Sequence, residues 1–144
     1  MDTFTASQKI LDNLKAKYRH IDRIMNLTKD METALLAGDP QTFGTILDMR
    51  GDVMILCDKL DQENREMISH FPKSLGDKMT AIIFPRKGQN AATLSLDNPL
   101  ETNIYDTSNR INQLLTRVIK LDTELNRKVN SMAGRKQGLG DLRG

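Results

Sequence analysis

Three long segments of this chain place apolar residues at alternating steps of three and four. Only helices that each bury one face against a neighbour satisfy that spacing. The first segment, about residues 5–36, has a seam of Leu11, Leu14, Tyr18, Ile21, Met25, Thr28, Met31 and Leu35. Ile10, Ile24 and Leu27 widen its stripe, so this helix is expected to meet more than one neighbour. The second, about residues 40–71, has a seam of Phe43, Ile46, Arg50, Val53, Cys57, Leu60, Asn64, Met67 and Phe71. Two of these are polar. A polar seam residue lowers stability but fixes register or oligomeric state. Arg50 has a second reading, in which its guanidinium reaches out to the rim. Gly51 costs the helix interior roughly 1 kcal/mol against Ala, and is read as a point of close approach. The third segment, about residues 99–132, carries Ile104, Thr107, Ile111, Leu114, Val118, Leu121, Leu125, Lys128 or Val129, and Met132, a run of four heptads.

The breaks between these segments set the topology. In Ala37-Gly38-Asp39-Pro40, Gly38 suits the left-handed position after a helix, Asp39 an N-cap and Pro40 a first helical turn. So short a connection turns the second helix back antiparallel to the first. Residues 72–98 are punctuated by Pro72, Gly76, Pro85 and Gly88. Ser74–Phe84 is expected to form a short helix ending before Pro85, and Arg86–Asp97 a mobile loop. Thr93–Leu96 is the one weak strand candidate. Asn98 and Pro99 open the third helix, and Gly134 is expected to close it. The expected fold is therefore all-α: a long antiparallel helical hairpin plus a third long helix, in a bundle or coiled coil. Residues 1–133 make one domain and 134–144 a flexible tail.

Composition narrows the function. Aromatics are 4% of the chain and Trp is absent, so Leu, Ile and Met must do the packing. The eight Met either fill gaps in a bundle core or adapt to a partner's surface. Net charge is +2, from 21 basic and 19 acidic residues, too even for a nucleic-acid footprint. The charge is unevenly spread, however. Residues 39–71 hold seven acids against three bases, and residues 134–144 hold three bases against one acid. Cys57 is the only cysteine, which fits a reducing compartment. The first residues do not resemble a signal peptide, and no apolar run reaches membrane-spanning length. A cytoplasmic location is expected.

The residues for catalysis are missing in pattern as well as in number. His20 and His70 have no second His, Cys or paired acid at ligand spacing, which argues against a metal site. The surroundings of His20, KYRHIDRI, lack the small residues a phosphorylated His would need. Cys57 sits on an apolar seam with no activating base. Asp58, Asp61, Glu63 and Glu66 read as solvated charge along a helix. The basic residues of the third helix lack interleaved aromatics for stacking on bases. No enzyme, no cofactor, no nucleic acid and no membrane insertion are expected; a protein partner is.

The segment LLAGDPQTF followed by LDMRGDVMILCDKLDQENREM resembles the helical hairpin of flagellar type III export chaperones of the FlgN/FliT type. Gly38, Asp39, Leu47, Arg50, Val53, Leu56 and Leu60 match that pattern, and NRINQLLTRVIKLDTELNRKV is similar to the family's last helix. The likeness covers most of the chain apart from residues 72–98 and the tail. It implies a small cytosolic helical chaperone. Such a protein binds the C-terminal segment of hook-associated or filament-cap subunits, prevents early self-assembly, and delivers them to the export gate. Helix-in-groove recognition would serve that role. The expected carrier is the third-helix stripe of Leu114, Leu115, Val118, Leu121, Leu125 and Val129, with ordinary core as the equal alternative for each. The family's C-terminal Tyr for gate docking has no counterpart in RKQGLGDLRG, where Leu139 and Leu142 would have to supply a different contact. The alternative functions are a structural coiled-coil adaptor or homodimer whose register Arg50 and Asn64 set, and a regulatory module that binds another protein.

Overall fold

The chain is an all-α bundle of four helices, with no strand among the described residues. The computed structural model describes residues 1–85 and the backbone of 95–143, with side chains to residue 133. The elements are α1 (Thr3–Leu36), α2 (Pro40–Ser69), α3 (Lys73–Ile83) and α4 (Pro99–Arg143).

Local chemistry sets each start and stop. Asp2 caps α1 by accepting a hydrogen bond from the Thr5 N–H at 2.7 Å. At the far end Gly38 takes a left-handed φ of 68°. Its N–H donates to Leu35 O at 3.1 Å, while the Asp39 N–H reaches back to Ala34 O at 3.0 Å. These two bonds satisfy carbonyls that would otherwise be orphaned. Asp39 then caps α2 through the N–H and hydroxyl of Thr42, and Pro40 occupies the first turn. Those bonds hold the Asp39 carboxyl below the usual carboxylate range, the hydroxyl contributing most. At the start of α4, Asn98 and Glu101 cap each other reciprocally.

α1 lies at the centre, packed along α2 on one side and α4 on the other. Its widened stripe foreshadows this double contact. Ile10, Leu14, Ile21 and Met31 are all fully buried. The turn at Gly38 makes α2 antiparallel to α1. α4 runs parallel to α1, because Arg110 lies near Tyr18 and Arg19 while Lys128 pairs with Glu32 at 3.0 Å. The short helix α3 closes the end of the bundle. Met79, Ile82 and Ile83 are buried there, and Arg65 of α2 lies 4.2 Å over the Phe84 ring. The Lys78 ammonium bonds both Asp97 and Glu101. That ties α3 to the start of α4 and pushes the Lys78 pKa upward, Asp97 contributing most.

Both polar seam residues of α2 serve this interior. Asn64 is 1% exposed and accepts a hydrogen bond from Asn13 Nδ2 of α1 at 3.0 Å. The Arg50 guanidinium does not turn out to the rim. It donates to Thr28 Oγ1 of α1 at 3.3 Å and to Asp122 of α4 at 2.6 Å. Each polar layer matches one register of helices and no other.

Two expectations are corrected. Gly134 does not end the last helix, since α4 continues to Arg143. A glycine stops a helix when it takes the left-handed conformation; inside one it only costs roughly 1 kcal/mol against Ala. Gly51 makes no close approach within the fold, because a Cβ built on it meets nothing within 4 Å. The expected mobile loop lies, over residues 86–94, outside the described residues, as do the first two residues of the Thr93–Leu96 strand candidate.

Candidate protein-docking face

α2 has more apolar residues than its seam can hold. Residues 53–57 read Val-Met-Ile-Leu-Cys, and five consecutive apolar residues span more than a full helical turn. Only part of that circumference meets α1. Val53 and Cys57 are buried, whereas Met54 is 50% exposed, Ile55 53% and Leu56 43%. Leu47, two turns before Met54, is 43% exposed. At 100° per residue, Gly44, Leu47, Gly51, Met54 and Ile55 fall on one outward face. Apart from the helix's own nearby backbone and chain neighbours, no described atom lies within 4 Å of where a Cβ would stand on Gly44 or Gly51. The face is thus an apolar strip with two shallow holes seven residues apart.

α4 carries one further exposed apolar residue near this level. The Arg50–Asp122 ion pair fixes the level of α2 against α4. Met54 lies one turn beyond Arg50 and Ile119 nearly one turn before Asp122. The two helices run antiparallel, so both residues sit at the same level. Ile119 is 63% exposed. Lone exposed apolar residues need no explanation, but several on one helix face make a candidate interaction surface.

The electrostatics of the strip are one-sided. Asp48, Asp52 and Asp58 are exposed, and none has an ion-pair partner among the described residues. Arg50 is turned inward to Asp122, and the Asp61 carboxylate is held by Lys17 of α1 at 2.8 Å. Lys59 is the exposed base closest along this part of the helix. Three exposed acids, Asp48, Asp52 and Asp58, thus flank the strip, with Lys59 beside them on the same helix.

The third-helix stripe lies elsewhere. Leu114 is 5% exposed, Val118 8% and Leu125 1%, all in the core. Leu115, Leu121 and Val129 are half-buried. The three buried residues thus take the ordinary-core alternative, on the helix that packs against α1. The sequence held a signal for the other face. It was the surplus of apolar residues in α2 over one seam, together with two glycines in a long helix.

A second concavity of about 870 Å³ lies between the start of α1, α3 and the start of α4. Phe4, Leu11, Leu75, Met79 and Leu100 line it, with Lys15 among its polar residues. Neither surface has a nucleophile beside a base. The Cys57 thiol is buried and its pKa is raised, chiefly by that burial. Among the described residues His70 bonds the exposed Glu66 of its own helix, at 3.3 Å, and His20 is half-buried on α1. Among the described residues, no three His, Cys, Asp or Glu groups are placed to hold a metal ion, and no helix is long and apolar enough to cross a membrane. No protein-family model, curated protein or solved structure matches the chain.

Proposed function

We propose that this protein is a cytosolic chaperone for a flagellar export subunit, holding the subunit's C-terminal helix on the outward face of α2. The observation that carries this reading is the uncovered apolar strip of Leu47, Met54 and Ile55 on a helix whose opposite face is already packed. A protein that needed only to fold would leave that face polar. The reading draws its client class from the resemblance of residues 35–67 to the export-chaperone hairpin. Leu47 and Leu56 of that pattern are among the exposed residues. A client helix laid into the strip would shelter its own assembly surface and the chaperone's surplus together.

Calorimetric titration of the intact chain with the C-terminal peptide of a hook-associated or cap subunit tests this. Binding is expected, with a negative heat-capacity change from apolar burial. Changing Leu47 and Ile55 to Asp should remove it while leaving helicity and melting temperature near those of the parent. Absence of heat with every such peptide at tens of micromolar, measured at two temperatures, overturns the proposal.

A further inference from the structure

The strip on α2 also defines what kind of helix it accepts, if a partner helix docks there as proposed above. Gly44 and Gly51 are seven residues apart, about 10.5 Å along the axis, and a Cβ at either would stand in open space. Between and beside them Leu47, Met54 and Ile55 project outward. This alternation of holes and knobs lets a second helix come in at the short end of the usual interaxial range, about 8 Å. The holes call for large side chains from the partner, a heptad apart. Charge supplies the rest of the description. Asp48 and Asp52 border the strip along one side and Asp58 closes its far end, all exposed.

We infer that the α2 face is a close-approach site for an amphipathic helix of another polypeptide, with large apolar residues at heptad spacing and Lys or Arg along one margin. A second copy of this chain fits poorly, because pairing α2 with itself brings the same unpaired acids into the contact.

The test uses the full chain and two synthetic three-heptad peptides. Both carry Leu at the heptad positions, one with Lys along the margin and the other with Glu. Binding is read by fluorescence anisotropy at low and high salt. The Lys peptide should bind about tenfold more tightly at low salt, and the preference should shrink as salt screens it. Replacing Asp48, Asp52 and Asp58 with Asn should erase the preference. Filling the holes with G44L and G51L should weaken the Lys peptide about tenfold or more. The same pair should raise the melting temperature, since leucine is the better helix former. A purely structural role for the glycines would not separate those two effects. Equal binding of the two peptides, unchanged affinity in the G44L/G51L protein, or self-association of the chain through this face would each overturn the inference. Failure of the flagellar peptides alone would remove the client class and leave this site standing. Client binding that ignores G44L/G51L would do the reverse.

Discussion

α4 and α2 flank the same central helix, yet they treat their apolar residues differently. α4 turns its apolar stripe into α1, where Leu114, Val118 and Leu125 are buried. α2 does the same with Val53, Cys57 and Ile68, then carries Leu47, Met54 and Ile55 exposed on another side. The difference shows that an apolar residue at helical spacing states a need for shelter without saying who provides it. The excess over one seam is the signal that marks a face left exposed.

The largest expected effect follows directly from that contrast. Leu125→Ala should cost about 2–5 kcal/mol, since a fully buried Leu leaves a cavity that the bundle fills only partly. Met54→Ala should change stability by no more than about 0.5 kcal/mol. Urea unfolding of the two variants measures both. Similar losses would mean that the two faces are not distinct. Val118→Asp sharpens the same point, because a carboxylate placed in that seam should unfold the bundle rather than spare it.

Next come the polar layers that hold α2 in register. Arg50→Ala removes bonds to Thr28 and Asp122, and about 1–2 kcal/mol should be lost. Changing Asn13 and Asn64 together to Leu should instead be neutral or stabilising, because buried Asn64 Nδ2 has no partner among the described residues. Chemical denaturation separates the outcomes, and a loss as large as that of Leu125→Ala would show the asparagine layer to be a main source of stability.

On the outward face, Gly51→Ala should stabilise the free protein by up to about 1 kcal/mol. A loss of stability would show that the face is covered.

The smallest effect concerns the caps. The Asp39 carboxyl is held low by Thr42, and that of Asp97 by Lys78. A carboxylate with a depressed folded pKa stabilises the fold above its unfolded pKa, and that contribution is lost as pH falls through the folded value. Stability should therefore decline modestly below about pH 4. Asp39→Asn should keep the cap while flattening part of the decline, and thermal melts across acidic pH read the difference.

Much of the architecture was legible in particular residues. Gly38, Asp39 and Pro40 announced the hairpin turn because their backbone preferences act locally. The broad stripe of α1 announced two neighbours. Arg50 and Asn64 announced polar layers, though not that their partners would be Thr28, Asp122 and Asn13 of the same chain. The exposed apolar face of α2 was less legible. The regular heptads of α4 reflect its packing on α1. The strip on α2 lacks heptad regularity because glycines stand where large residues would otherwise complete it.

The sequence by itself determined that this chain makes long helices, where the first of them turns back, and that their apolar faces require cover. These follow from the 3.6-residue repeat and from the backbone preferences of single residues, both local properties. Only the tertiary structure decided which faces receive that cover. The hydrophobic effect carries no direction, so an apolar side chain does not encode its neighbour. In this bundle α1 has helices on two sides, whereas α2 meets one long neighbour and keeps a bare strip on its outer face.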